Sequence, residues 1–491
     1  LEAKGHVSQN HSDTEVLVHG YEEWGTDLPN HCRGMFAFMI YDLKNDLAFG
    51  ARDYFGIKPF YYSVIGGNLV FGSEIKSILE YPGYEKQVNM EALEQYLTFQ
   101  YSVLPETFFK GIYKLAPAHS ILFKDGKAEI NRYWEADFDI DEDADLDTLI
   151  DTIDEQMQES VQAHLISDVE VGSLLSSGID SSYIATVSKA DKTFTVGFAY
   201  DKYNEISYAQ NLSEKIGTKN YSKLITEEEY WSVLPEIQYY MDEPLADASC
   251  VALYFVDKTA AEHVKVVLSG EGADEFFGGY NMYRNAPRYG DNLKTFYVGN
   301  TNIMKEEEKK QILKKYYDGF VPLDLARDIY KENQHLDPLS KMLDVDIQMW
   351  LEGDIYLNID KMSTAAGLDV RMPLTDTRIF DIAARIPAQF KVDPEQNKVA
   401  LRTAAAKVLP EEVAWRKKLG FVVPIRVWMA DERYNGDVKA KFHSDMAARF
   451  FDLDAINAIF DEYVTSNSDL WRQVWTIYAF LVWYEEYFVK R

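Results

Sequence analysis

From about residue 169 onward the chain repeats one pattern: a short uninterrupted apolar run, a turn of small residues, then a helix-length segment. VEVGSLL (169–175) reads as a strand buried on both faces, followed by a glycine turn and a helix that begins near Ser181. TFTVGF (193–198) is a second such strand, and EISYAQNLSEKIG (205–217) is a helix closed by its C-terminal glycine. Residues 221–225 and VKVVLS (264–269) continue the series. Buried strands alternating with helices predict βαβ units, and therefore a parallel sheet with helices on both faces. From about Asn281 helical patterns dominate, without an internal repeat. The expected fold class for this half is α/β with a helical C-terminal extension.

The first part of the chain has a different texture. GMFAFMIYD (34–42), a turn at Lys44-Asn45-Asp46, LAFGARD (47–53) and PFYYSVIGGNLVFGSE (59–74) are closely spaced strand patterns, with Gly66-Gly67 as a hairpin turn. They predict an antiparallel sheet that runs, with further strands and turns, to about Trp134. Residues 135–154, EADFDIDEDADLDTLIDTID, crowd acids without a basic partner and read as a solvated linker entering an acidic helix. A calcium loop there lacks its central glycine and terminal glutamate. The division expected is 1–134, a linker 135–150, and 151–491.

Charge and cysteine content narrow the function classes. Asp and Glu number 80 against 50 Lys and Arg, a net charge of -30. That field repels phosphate backbones and anionic membrane surfaces, which argues against nucleic-acid binding. Apolar runs such as 34–41 and 474–484 are far shorter than a membrane span. The two cysteines, Cys32 and Cys250, have no paired spacing, so neither a disulfide scaffold nor a zinc ribbon is indicated and a reducing cytoplasm fits. Residues 1–5, LEAKG, read as the end of a helix closed by glycine rather than as a signal peptide.

In a doubly wound sheet ligands bind beyond the carboxyl ends of the strands. Two loops lie at such ends. LLSSGIDSS (174–182) offers small residues, hydroxyls and a helix N-terminus, donors suited to pyrophosphate; it lacks the lysine and the spacing of the GxxxxGK[ST] loop. SGEGADEFFGGY (269–280) carries Glu271, Asp274 and Glu275 among glycines, and Glu275 stands where a dinucleotide fingerprint needs its third glycine. Acids beside a phosphate site in so acidic a chain suggest a magnesium ion bridging carboxylate and phosphate. Taken singly, each loop also reads as an ordinary turn, the first with serine caps and the second solvated.

Together the loops resemble a known family. LLSSGIDSS is similar to the SGGxDSS pyrophosphate loop of the ATP pyrophosphatase group, and SGEGADEFFGGY to the matching loop of glutamine-hydrolysing asparagine synthetases. SDTEVLVHGYEEWG (12–25), RGMFAFMIYD (33–42), RDYFGIKPFYY (52–62) and FGSEIKSIL (71–79) resemble the second half of that family's glutaminase domain. DEPLADAS (242–249), DKMSTAAGLDVRMPLTD (360–376) and WRKKLGFVVPIRVW (415–428) resemble its synthetase domain. The resemblance therefore implies an antiparallel, α+β glutaminase-type domain, lacking its start, followed by an ATP-pyrophosphatase domain.

It also implies a reaction: ATP-dependent, magnesium-dependent amidation of aspartate through β-aspartyl-AMP, with nitrogen from glutamine or free ammonia. By the match, Ser176, Gly178, Ser181 and Ser182 cradle pyrophosphate, and Asp180 and Asp274 hold magnesium. Leu175, Val196, Ser269 and Gly270 contact adenosine, Glu271 takes a proton from ammonia, and Lys418 stabilises the α-phosphate. Asp13 binds the α-amino group of glutamine; read from its residues alone, it is a helix N-cap. Arg52, Asp53 and Lys58 read as structural, and Cys32 as a small buried apolar residue rather than the nucleophile, which in this family is an N-terminal cysteine. A chain that truly began at Leu1 would use free ammonia. Homodimerisation is compatible with the resemblance.

Three departures stand out: Ser177 for the middle glycine of the loop, Asp369 where glutamate is frequent, and the unfamiliar stretch after Lys418. Two other readings are the same chemistry on a different carboxylate, such as a peptidoglycan precursor, and a nucleotide sensor without turnover.

Overall fold

The computed structural model describes residues 1–10, 12–200, 204–289, 296–317, 321–417, 420, 423–466 and 469–491. The chain divides into two compact units, Leu1–Asn89 with Pro105–Asp137, and Met90–Leu104 with Phe138–Arg491. The assignment of Met90–Leu104 to the second unit was not legible in the sequence, which suggested an unbroken first domain.

Among its described residues the first unit holds seven strands: β1 (Ala37–Asp42), β2 (Leu47–Arg52), β3 (Tyr61–Ile65), β4 (Asn68–Gly72), β5 (Tyr113–Lys114), β6 (His119–Lys124) and β7 (Lys127–Arg132). They form two antiparallel sheets, ordered β1-β2-β6-β7 and β4-β3-β5. Gly66 and Gly67 close the β3–β4 hairpin with φ of 59° and 83°, the pair of positive values that a two-residue turn matching strand twist requires. Asp42 accepts from the amides of Lys44 and Asn45, both at 3.0 Å, and so sets the β1–β2 turn. Helix Asp13–Trp24 packs Leu17, Tyr21 and Trp24 against Phe38, Phe49 and Ala51 of the first sheet.

In the second unit β8 (Val171–Leu174), β9 (Lys192–Phe198), β10 (Lys219–Ile225), β11 (Val266–Leu268) and β12 (Asp369–Arg371) make one wholly parallel sheet in the order β10-β9-β8-β11-β12. The chain builds outward from β8 to β10, then returns to the other side of β8. That reversal puts the topological switch point between β8 and β11. The acidic stretch resolves into helix Leu146–His164, whose N-cap Asp145 accepts from Thr148 N at 3.0 Å.

A helical layer continues to the C-terminus. In helix Trp471–Tyr484 nearly every side chain is buried, which explains its unbroken apolar run. Among the described residues no helix is long and apolar enough to cross a membrane. Helix Met90–Phe99 belongs to this unit: Tyr96 Oη donates to Thr476 O and Gln100 Nε2 to Thr476 Oγ1, each at 2.9 Å. Asp242 ties the segments 242–249 and 360–376 together through a fully buried ion pair with Lys361 Nζ at 2.6 Å. It also accepts from Tyr487 Oη at 3.0 Å.

Candidate active site

Strand β8 ends at Leu174, and helix Ile179–Ser188 begins after four intervening residues, with Gly178 at its N-cap. The intervening loop is ordered by its own hydroxyls. Ser181 Oγ accepts from Ser176 N at 3.0 Å and lies 2.9 Å from Ser176 Oγ, while Gly178 N donates to Ser176 Oγ at 3.1 Å. The loop is thus wound around the first turn of the helix, whose free amides and dipole favour an anion.

The second loop leaves β11 and comes against the first. A Cβ at Gly270 would lie 2.7 Å from Ser181 N, so only glycine permits this approach. Leu175, Ser176, Gly178, Asp180, Ser181, Val196, Ser269, Gly270, Glu271 and Asp274 all line a single cavity at the switch point. Ser182 does not line it; its Oγ donates to Gly178 O at 2.7 Å and braces the loop from behind. Glu275 is turned away as well. It is buried, accepts from Tyr280 Oη at 2.6 Å, and burial together with neighbouring Asp274 pushes its carboxyl up to about 8.

Asp180 and Asp274 converge on one cation. Lys398 Nζ lies 2.7 Å from Asp180 Oδ2 and 2.8 Å from Asp274 Oδ1, with its side chain almost wholly buried. Two carboxylates that share one ammonium are close enough to share a divalent ion. Asp180 Oδ1 is buried and, among the described residues, has no hydrogen-bond partner, leaving an acceptor for such an ion. The donor set, all hard oxygen, fits magnesium.

Lys398 was not anticipated. It adopts φ 57°, and Asn397 is anchored beside it through Nδ2 to Gly279 O at 2.7 Å. A lone lysine in NKVALR carries no local signal; only folding brings it to the two acids. Ser177 also has an unforeseen partner, donating from Oγ to Glu205 at 2.6 Å. Lys418 lies outside the described residues.

In the first unit Asp13 is exposed at the start of its helix. The N-cap is Ser12, one residue earlier, which accepts from Thr14 N at 3.2 Å; this corrects the reading of Asp13 as the cap. Arg52 is buried and donates to the carbonyls of Gly56, Lys58 and Leu115, each at 2.7 Å, and Asp53 accepts from Ile57 N and Lys58 N at 2.8 Å. Their role is to hold the loop after β2. Cys32 packs with the first unit's apolar cluster, and burial pushes its thiol up to about 11, far from a reactive thiolate.

Two family descriptions match the chain: asparagine synthase over residues 152–485 and glutamine amidotransferase domain over residues 1–134. Asparagine synthetase [glutamine-hydrolyzing] 1 of Bacillus subtilis is 36% identical over all of this chain and 83% of its own length. Asparagine synthetase [glutamine-hydrolyzing] 3 of the same organism is 32% identical over 85% of this chain and 72% of its own length. Asparagine synthetase B of Escherichia coli is 27% identical over 84% of this chain and 65% of its own length. With its parallel-sheet site and both domains matched in order, this chain belongs to the asparagine synthase family and is an ATP-dependent ligase of that family.

Proposed function

We propose that this chain makes asparagine from aspartate, ATP and nitrogen taken from glutamine. The observation that carries the reading is the convergence of Asp180 and Asp274 on one cation at the mouth of a hydroxyl-lined loop. An aspartate carboxylate has to approach an anionic triphosphate, so the site must neutralise charge and hold the reactants in line.

Ser176, Gly178 and Ser181, with the helix N-terminus, are assigned the β- and γ-phosphates, and Ser182 supports them through Gly178. Leu175, Val196, Ser269 and Gly270 are assigned to adenosine. The substrate carboxylate oxygen attacks the α-phosphorus; the α–β bond breaks, and β-aspartyl-AMP and pyrophosphate result. Ammonia then attacks the acyl carbon, Glu271 accepts the proton it sheds, and AMP leaves with the C–O bond electrons. Asp180 and Asp274 would hold a magnesium ion, which when bound would supply electrostatic stabilisation of the pyrophosphate leaving group. Lys398 is placed to share that load, and Lys418 is assigned the α-phosphate. Asp13 is assigned the α-amino group of glutamine. ATP as substrate and two unpaired cysteines favour the cytoplasm as the place of action.

Aspartate-dependent pyrophosphate release tests the reading. Asp180→Asn should lower it by about 100-fold or more, the scale for losing one preorganised electrostatic group. Glu271→Gln should spare isotope exchange between pyrophosphate and ATP while depressing amide formation. Undiminished release in the first variant would remove the metal assignment. Turnover of another carboxylate with aspartate inert would replace the acceptor.

A further inference from the structure

The stretch preceding the first helix, together with one flank of that helix, gathers a set of side chains that amide formation does not use. His6 follows Gly5, and His19 lies on helix Asp13–Trp24 with Glu15, Glu22 and Glu23 at helical spacings of three and four. The preceding stretch is held to the helix on both sides of His6. Glu15 accepts from the amides of Gln9 at 2.7 Å and Asn10 at 2.9 Å, and Lys4 pairs with Glu23.

His6 Nδ1 is thereby brought 3.3 Å from His19 Nδ1. Glu22 Oε2 lies 3.3 Å from His19 Nδ1 and 3.7 Å from His6 Nδ1. Zinc with bonds of 2.0–2.1 Å and tetrahedral angles sets its ligand atoms about 3.3–3.4 Å apart, so these three atoms outline one face of such a tetrahedron. The opposite ring nitrogens face carboxylates: His6 Nε2 is 3.3 Å from Glu23 Oε2, and His19 Nε2 is 3.6 Å from Glu15 Oε1. A carboxylate within hydrogen-bond distance of His6 Nε2 favours the proton there and the lone pair at Nδ1, the arrangement by which outer carboxylates orient metal-binding histidines, and Glu15 stands just beyond that distance on the same side of His19. Both rings so oriented direct lone pairs toward each other and toward the Glu22 oxygen. A cation between the three relieves that conflict.

We propose that His6, His19 and Glu22 bind a zinc ion, with Glu15 and Glu23 orienting the two rings. The histidines are mostly buried and Glu22 is exposed, so the fourth position opens to water. Two imidazole nitrogens favour zinc over magnesium, which keeps this site chemically separate from Asp180 and Asp274. Its effect is to clip residues 5–10 to the helix.

The purified 491-residue chain, stripped of metal and kept in excess magnesium, is titrated with zinc chloride by calorimetry. Uptake of one zinc per chain is expected, with cobalt substitution giving the intense visible absorption of a tetrahedral nitrogen–oxygen site. His6→Ala should abolish that uptake and the cobalt spectrum while circular dichroism stays unchanged. Glu15→Gln, which leaves all three ligands in place, should weaken zinc binding by about 10-fold, the lower end for losing an outer carboxylate. Absence of zinc uptake by the unaltered chain would overturn the proposal. Uptake unaffected by His6→Ala would overturn it equally, by placing the metal elsewhere.

Discussion

At position 177 a serine hydroxyl stands where the resemblance to the SGGxDSS loop implies glycine, and its hydrogen bond to Glu205 draws it to a neighbouring helix start. The departure is therefore absorbed locally, and the loop keeps its glycine at 178, where the proposed phosphate site calls for close approach of the backbone. Asp346 shows the opposite case, a polar group deep in the helical layer. It accepts from Tyr283 Oη at 2.6 Å and Tyr297 Oη at 2.8 Å, yet burial pushes its carboxyl up to about 7 from an ordinary 3.8. The folded chain then holds a proton between about pH 4 and pH 7 that the unfolded chain has released. Stability is greatest at the low end of that window, falls as pH rises through it, and levels off above. Asp346→Asn keeps an acceptor for both tyrosines without a charge. Its melting temperature should match or exceed that of the unaltered chain at pH 8, and the fall between pH 4 and pH 7 should flatten. Parallel melting curves for the two proteins across that window would refute this assignment of the proton.

Among the elements, the two loops after β8 and β11 depend on each other because β8 and β11 are neighbours in the sheet. Gly270 is the point of contact. Gly270→Ala would press a methyl carbon on the backbone of Ser181, and neither loop can withdraw without moving a strand end. Displacement by as little as ~1 Å of a positioned reactant costs on the order of 100-fold in rate. Isotope exchange between pyrophosphate and ATP should therefore fall by about that factor in Gly270→Ala, with the circular dichroism spectrum preserved. Exchange at the unaltered rate would show that the loops tolerate separation. Both glycine hairpins and serine caps are local devices; this contact is not.

For the whole molecule, the informative segment is Met90–Leu104, which belongs to the synthase unit although the sequence places it within the amidotransferase match. Tyr96, Phe99 and Tyr101 are fully buried there, and Lys309 Nζ donates to Thr98 Oγ1 at 2.9 Å. A fragment of residues 138–491 alone would expose the slot these side chains fill, at about 3–5 kcal/mol for each large buried aromatic removed. It should be recovered as aggregate or melt without a cooperative transition. Supplying residues 90–104 in the same polypeptide through a flexible linker should restore a cooperative melt. A stable fragment without them would show that the segment is dispensable. Local rules sufficed for much of the rest. Apolar runs of strand length, the glycine after 205–216, the Gly66-Gly67 turn and the small-residue loops at 174–182 and 269–280 each express short-range sterics or periodicity, so the sequence by itself determined the parallel sheet, its strands other than β12, and about half of the cavity lining. What it could not determine rests on contacts between residues distant along the chain. Lys398 meets Asp180 across 218 positions, and the excursion of residues 90–104 pairs with Thr476; nothing in the residues nearby encodes either. Only the closed tertiary structure, which buries Lys398 against Asp180 and Asp274 and seats Tyr96 and Gln100 on Thr476, decided them.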